Sequence, residues 1–462
     1  MRIKVSCAAA AHIGAMHRFL PQLAERQVPR YTSYPTAAEF HDGIGPAQQA
    51  AALESVAADR PVSLYLHIPY CHAICWYCGC NTGAIGKPER LTQYRDALLA
   101  EIALVAPRMR GRVVSVHFGG GSPNALPPDD LVQVARAIRQ GFRVDRDAQW
   151  AAELDPRTID ARYAAALAAA GIGRASLGAQ TFAPAIQARI NRIQPFRQVG
   201  EAVSDLRRAG IAHINLDLMY GLPGQQLDDI AATIAAALTL SPDRIATFGY
   251  AHLPKLLPRQ RMIADAALPG APERFWQSAL AHSLLVEAGY QAVGFDHFAR
   301  PEDSLAVAAR DGRLRRNFQG FTDDPATVLV GLGTSAISQF DGLMVQNEKH
   351  VGRYRLRMRN GRLAGTRGVA RDADDRFRAA VIERMLCDGE IDVAAVAAAH
   401  GRSVQRFAAA LPRLHALAEQ GVVRCNGWRI EITPLGRPYA RLAAAAFDAY
   451  RTPLVQGFSK AV

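Results

Sequence analysis

Cys71, Cys75 and Cys78 lie in the run Tyr70-Cys-His-Ala-Ile-Cys-Trp-Tyr-Cys-Gly-Cys80, straight after a strand-like stretch at 62–68. Thiolates are the usual ligands of iron–sulfur clusters, and three close-set ones can hold three corners of a [4Fe–4S] cube while one iron stays open to a substrate-like ligand. An open metal position implies chemistry. A structural zinc site would want a fourth Cys or His at pair spacing, and the chain has no second CxxC. Disulfides fit less well, because Cys7, Cys387 and Cys425 are scattered and the total of seven is odd. Cys80 follows Cys78 too closely for both to reach one cube without a sharp fold-back, so it is expected beside the cluster.

Such a loop must be positioned by regular elements. From 62 to 250 the chain repeats a short β-branched run, a polar or Gly-rich turn and a longer Ala/Leu-rich amphipathic stretch. Strands are expected at 62–68, 113–118, 149–154, 174–179, 212–219 and 244–250, with helices at 91–105, 128–142, 157–170, 198–209 and 227–240. Six alternations imply parallel strands with right-handed crossovers. A doubly wound sheet and a partly closed barrel share this periodicity. The polar groups separate them: His67, the cysteines, Gly119-Gly120-Gly121, Glu153, Gln180, Asp217 and Tyr250 all fall at or just after strand carboxyl ends. A (β/α) barrel gathers its site from many strands in that way, whereas an open sheet concentrates it at one switch point. The expected class is α/β, a partial (β/α)6 barrel.

After Tyr250 a Pro-rich link interrupts the alternation, and the next firm helix is read at 273–288. Residues 374–450 read as a small, mainly helical domain with helices at 375–386, 393–399 and 404–419, strands at 422–424 and 428–432, and a last helix. Helices followed by a small hairpin resemble a winged helix and hence a nucleic-acid reader. The third helix, however, offers Arg406 and Arg413 without a dense basic stripe, and Pro412 should kink it. A packing module that lids the barrel is the preferred reading, with no nucleic acid as partner. The division is then 1–55 as extension and arm, 56–370 as barrel with an accessory segment, and 371–462 as the C-terminal domain.

The 462 residues, 49% of them hydrophobic, exceed one ordinary core. Lys and Arg number 54 against 42 acidic residues, net +12, and only five of the 54 are Lys. That balance suggests an anionic partner, nucleic acid or an acidic small molecule, and Arg suits bidentate capture of carboxylates. The start imitates a basic n-region before an apolar stretch, but His12 interrupts it and Arg18 follows closely, so an extension is read rather than an export signal. No run approaches the roughly 20 apolar residues of a membrane span. A cytoplasmic location is expected.

With the cysteine run, Tyr65-Leu-His-Ile-Pro-Tyr before it and Phe118-Gly-Gly-Gly-Ser-Pro after it, the chain resembles the radical S-adenosylmethionine enzymes. More narrowly it is similar to the oxygen-independent coproporphyrinogen III oxidases. The likeness runs from Arg30-Tyr-Thr-Ser-Tyr-Pro-Thr36 through Ala152-Glu-Leu-Asp-Pro156, Leu216-Asp-Leu-Met-Tyr-Gly-Leu-Pro223, Tyr250-Ala-His-Leu-Pro254, Asp296-His-Phe-Ala-Arg-Pro301, Arg316-Asn-Phe-Gln-Gly320 and Gly333-Thr-Ser-Ala-Ile-Ser338 to Phe458-Ser-Lys. At Gln180-Thr181-Phe182 the family pattern would have Asp or Ser in the middle, and Ser122 stands where Thr is familiar.

The resemblance implies that Cys71, Cys75 and Cys78 hold a [4Fe–4S] cluster whose free iron is chelated by a first S-adenosylmethionine. Tyr65, Gly120, Glu153 and Ile337 would contact that molecule, and Glu153 is read with the three cysteines as catalytic. A second S-adenosylmethionine would meet Tyr77, Gly121, Ser122, Gln180, Arg192, Asp217 and Ala251. The implied reaction is oxidative decarboxylation of two propionates of coproporphyrinogen III to vinyl groups, by way of a 5′-deoxyadenosyl radical. It implies further a reductant protein such as flavodoxin or ferredoxin, and a monomer. Arg174, Arg300, Arg315 and Arg316 are candidate clamps for the substrate carboxylates, each also readable as a surface or ion-pair Arg. The alternative within the superfamily is a haem-binding chaperone or a haem-modifying relative. Chaperones of that kind usually lack the cysteine at Cys80, the 30–36 segment and the full C-terminal domain, all of which stand in this chain.

Overall fold

The computed structural model describes residues 17–451 and 460–461. Cys7, the start of the extension and Phe458 and Ser459 of the tail lie outside the described residues.

Six parallel strands form the centre: β1 (Pro61–Ile68), β2 (Arg112–Gly120), β3 (Arg143–Leu154), β4 (Arg174–Gln180), β5 (His213–Tyr220) and β6 (Arg244–Gly249). Each matches an expected strand within a few residues, except that β3 begins six residues early. Strand β1 is buried at every position after Pro61, the near-continuous apolar run expected of a parallel strand covered on both faces. The crossovers are α1 (Glu89–Val105), α2 (Pro128–Gly141), α3 (Ala161–Ala169), α4 (Phe196–Arg208) and α5 (Leu227–Thr239). Helix α3 starts four residues later than the 157–170 reading. Pro156–Thr158 forms a short 3-10 turn, and Asp160 then caps α3 by accepting from the Tyr163 N–H.

The alternation does end near Tyr250, but the sheet does not. Helix Ala271–Glu287 leads to β7 (Gln291–Val293), and β8 (His297–Ala299) pairs antiparallel with both β6 and β7, so that β7 runs parallel to β6 one place beyond it. At the other edge β9 (Val328–Leu332) pairs parallel with β1, followed by antiparallel β10 (Ile337–Gln339), β11 (Leu343–Asn347) and β12 (Gly365–Ala370). The twelve strands run β12-β11-β10-β9-β1-β2-β3-β4-β5-β6-β8-β7, an arc with two free edges rather than a closed ring. These later strands are only three to six residues long, so no period marks them in the sequence.

Beyond residue 370, the helix Ala373–Asp388 is followed by Val393–Ala399 and then by a 3-10 stretch, Val404–Ala410, that gives way to helix Leu411–Glu419. The single helix expected at 404–419 is thus divided. Pro412 occupies the first turn of its second part, where its missing N–H costs nothing. A third short strand, Glu390–Asp392, joins the expected pair to give a three-stranded sheet. This region shares one apolar core with Leu20, Leu23, Val28, Tyr31 and Tyr34 of the arm and with Phe275, Val293 and Phe321 of the barrel side. Tyr31 Oη also donates to Asp448 (2.9 Å) and Arg451 pairs with Glu39 (2.7 Å).

The loop between β9 and β10 is held from beneath by Glu101 of α1, fully buried. Its carboxylate accepts from Gly333 N–H (2.5 Å), Asn347 Nδ2 (2.8 Å) and Tyr354 Oη (2.7 Å). Asn347 in turn donates to the Gly333 carbonyl, and Tyr94 Oη donates to the His67 carbonyl while accepting from Thr334 N–H. Burial raises the Glu101 carboxyl to about 7 from an ordinary 4.5, against the pull of its three donors. Glu101→Ala should therefore leave three buried donors unmet and cost about 3 kcal/mol, read by thermal denaturation. Between pH 4.5 and 7 the unfolded chain releases the Glu101 proton before the folded one does. That contribution to stability should fall as pH rises through this window, and the slope should be absent in Glu101→Gln.

Candidate active site at the carboxyl ends of the strands

The cysteine loop leaves β1 at Tyr70 and Cys71 and is pinned to the turn after β2. Gly121 N–H donates to the Ile68 carbonyl (2.7 Å) and Ser122 N–H to the Tyr70 carbonyl (2.8 Å). Only glycine permits this approach: Gly120 has φ +109°, and a Cβ there would stand 2.7 Å from the His67 ring. A Cβ on Gly121 would lie 2.6 Å from the Tyr70 carbonyl oxygen. Farther along, Trp76 N–H donates to the Ile190 carbonyl (3.0 Å) and Asn191 Nδ2 to the Ile74 carbonyl (2.8 Å). Gln260 Nε2 bridges the carbonyls of Tyr77 (2.8 Å) and Ala251 (3.1 Å).

Each of the three thiols is free and carries hydrogen-bond donors. Cys71 Sγ lies 3.3 Å from Thr82 Oγ1 and also receives the Ser122 hydroxyl. Cys75 Sγ receives Arg192 Nη1 at 3.3 Å and Arg157 Nη2 at 3.8 Å. Cys78 Sγ receives the Cys80 N–H at 3.4 Å, and the Cys80 thiol bonded to it brings Cys78 down to about 6. Donors on sulfur favour the thiolate that a cluster requires, although at Cys71 burial outweighs them and holds the thiol above its ordinary range. Among the described residues no three His, Cys, Asp or Glu side chains converge on a single metal ion. A cube gives each cysteine an iron of its own and asks instead for spaced soft donors, which this set fits.

Strands β2 to β6 line a cavity of about 310 Å³ whose wall includes His117, Glu153, Ser176, Asn215 and Asp217. Glu153 accepts from Gly120 N–H (3.4 Å) and shares a 3.1 Å hydrogen bond with His117 Nε2. Burial alone would raise its carboxyl, but the His117 and Gly120 contacts outweigh it and the net shift is downward. Asp217 goes the other way. Burial, aided by the charge of Glu153, pushes it up to about 6 despite hydrogen bonds from Ser176 Oγ (2.8 Å) and Asn215 Nδ2 (2.9 Å). Two carboxyls with opposite shifts thus share one cavity wall. Gln180 ends β4 with φ +62° beside a register shift, which turns its backbone out of the ladder.

Ile337 does not face this cavity. It lines a second one of about 520 Å³ between the arm and the C-terminal region, and the ring of Tyr65 packs edge-to-face on Phe318 (4.4 Å) of that cavity's wall. Tyr250, one of the groups expected at a strand carboxyl end, is 1% exposed in a small core with Ile186, Ile190, Leu222 and Ile263. Arg174 and Arg300 lie at the amino ends of the strands: Arg174 stands 3.4 Å from Asp303 and lines the 310 Å³ cavity with Glu153 and Asp217, whereas Arg300 donates to the Pro242 carbonyl. Arg315 pairs with Glu383 (2.8 Å), and Arg316 lies over Phe295 and Phe321 while donating to the Arg30 carbonyl.

Asp155, Arg157, Thr82, His117 and Gln260 were not singled out by sequence, although Asp155 and Arg157 follow Glu153 directly past the end of β3, a position that should have drawn notice. Asp155, 5% exposed, takes Arg157 through Nη2 at 2.6 Å and Arg192 at 3.5 Å. Two guanidiniums on one carboxylate leave a surplus positive charge, and both also meet Cys75 Sγ. Asp155→Ala should strand two buried cations and cost about 3–5 kcal/mol, read by urea unfolding of the metal-free protein.

The Radical SAM superfamily model matches residues 65–237, and the HemN C-terminal domain model matches 372–439. The chain is 44% identical over 440 residues to the oxygen-independent coproporphyrinogen III oxidase of Bradyrhizobium diazoefficiens, covering 95% of this chain and 98% of that protein. It is 38% identical to the enzyme of that name from Escherichia coli, covering 94% and 96%. The solved structure of coproporphyrinogen III oxidase (HemN) from Escherichia coli, described as a radical SAM enzyme, superposes with a TM-score of 0.87 at 36% identity, over 92% of this chain and all of that one. With its cysteine loop at the mouth of a partial barrel and this likeness along nearly its whole length, the chain belongs to the oxygen-independent coproporphyrinogen III oxidases of the radical S-adenosylmethionine superfamily.

Proposed function

We propose that this chain decarboxylates two propionate side chains of coproporphyrinogen III to vinyl groups without oxygen, giving protoporphyrinogen IX. Three free, donor-supplied cysteines just past the carboxyl end of β1, the end of the sheet at which Glu153 of β3 also lies, carry the reading, together with the family. Cys71, Cys75 and Cys78 would hold a [4Fe–4S] cluster. When bound, the cluster and S-adenosylmethionine supply the carbon radical that removes hydrogen from the propionate.

The protein's own part is placement and exclusion of water. Gly120 and Gly121 would meet the first and second S-adenosylmethionine through backbone, their missing Cβ atoms being what lets this turn lie against His67, Tyr70 and Thr82. Glu153, held low, suits an ammonium or ribose donor of the first S-adenosylmethionine, and Asp217 suits a second. Tyr65 and Ile337 would meet the first molecule, with the Ile337 side approached through the neighbouring cavity. Tyr77, Ser122, Gln180, Arg192 and Ala251 would frame the second. Arg192 is engaged by Asp155 and the Gly178 carbonyl (2.7 Å), so a carboxylate arriving there meets a guanidinium already oriented. No helix of the described residues is long and apolar enough to cross a membrane. A cytoplasmic monomer served by a reductant protein is the proposed setting.

Anaerobic reconstitution with iron and sulfide, then reductant, S-adenosylmethionine and coproporphyrinogen III, should yield protoporphyrinogen IX, methionine and 5′-deoxyadenosine by mass analysis. Cofactor cleavage without decarboxylation would discard the substrate. Cys75→Ala should lose the cluster absorbance and all product, whereas Cys80→Ala should retain the iron.

A further inference from the structure

The cysteine loop reaches the protein surface: His72, Ala73, Gly79 and Cys80 are exposed. It is flanked there by two segments already tied to it, 189–193 through Asn191 and 255–262 through Gln260 and through Arg259, whose Nη2 donates to the Thr82 carbonyl (2.7 Å). These flanks carry large apolar side chains in solvent, Ile193 at 58%, Leu256 at 64% and Met262 at 60% exposed. They stand out in a chain whose large apolar residues are otherwise mostly buried. Exposed Lys255, Arg261 and Arg189 lie among them.

The segments at this face are basic: none of the chain's 42 acidic residues falls within 61–88, 181–200 or 244–264, the three stretches that build the loop and its flanks. Asp265, just past the last of them and exposed, is hydrogen-bonded to His252 (2.7 Å). Lys255, Leu256, Arg261, Met262 and Ile193 line neither the 310 Å³ nor the 520 Å³ cavity, so substrate entry does not account for them. Exposed apolar side chains interleaved with basic ones, in segments tied to the solvent-exposed cluster loop, have the composition of a transient protein interface steered by charge.

We infer that this face is the docking surface for an acidic, low-potential one-electron carrier protein that reduces the cluster. The inference rests on the proposed function, in which each turnover must begin with an electron from outside. The carrier loses one electron, the cluster gains one, and no proton or group is transferred. Lys255 and Arg261 steer the encounter, and Leu256, Met262 and Ile193 seat the carrier against the loop.

The test uses the reconstituted holoenzyme and reduced flavodoxin as probe. In Lys255→Glu/Arg261→Glu the second-order rate constant for cluster reduction by flavodoxin, followed by stopped-flow absorbance at low ionic strength, should fall at least tenfold. The difference from the unsubstituted enzyme should shrink as salt is raised. Turnover driven by dithionite, and the KM for coproporphyrinogen III, should stay unchanged, which controls for folding and for the site. An unaltered flavodoxin rate constant in the double variant overturns the proposal. So does sedimentation showing that the face is covered by a second copy of the chain, as a dimer that Leu256→Ser/Met262→Ser separates. Absence of dithionite-driven turnover in the unsubstituted enzyme overturns the proposed function itself, and the docking surface with it.

Discussion

The close approach of two backbones at the mouth of the barrel is the constraint on which the rest depends. The turn after β2 passes directly under the start of the cysteine loop, bonded through Gly121 N–H and Ser122 N–H to the carbonyls of Ile68 and Tyr70. No side chain fits between them. This contact fixes where the loop leaves the sheet, and so where the thiols stand relative to the carboxyl ends of the strands. It also brings the Ser122 hydroxyl to Cys71.

Around that contact the site is built in layers of unequal polarity. Apolar residues of the sheet and its helices make the support, with β1 and α1 buried along their facing sides. Above them sit buried and half-buried carboxylates. Glu153 and Asp155 come from the end of β3 and Asp217 from β5, across β4 from it, and each meets a different partner and therefore a different fate. Asp155 is ionised between two guanidiniums, Glu153 leans on His117, and Asp217 has only neutral donors and a like charge nearby. Burial penalises all three, and the partners decide which remain anionic.

The antiparallel additions at both sheet edges and the arm have a structural logic of their own. A six-stranded arc leaves two edges open, and exposed edges invite mispairing. Strand β9 covers one and β8 the other. The loop from β9 to β10 that results is drawn against α1 by Glu101, a buried carboxylate with three donors and no cation. The same buttress stands behind the His67 carbonyl through Tyr94.

Local sequence determined the six parallel strands, their crossover helices and the cysteine loop, because periodicity and thiol spacing are properties of neighbouring residues. The division of 404–419 at Pro412 was legible for the same reason, as a kink if not as a 3-10 stretch. The short strands past residue 290 were not, since runs of three to six residues carry no period and take their conformation from the edge they join. Nor could spacing tell that Ile337 belongs to a different cavity from Glu153, or that Arg174 and Arg300 lie at the far ends of the strands from the cysteines. Only the tertiary structure decided that Arg157 and Arg192, 35 residues apart in the chain, share Asp155 and meet at one sulfur. Such pairings join distant segments, and burial decides which charges must find each other.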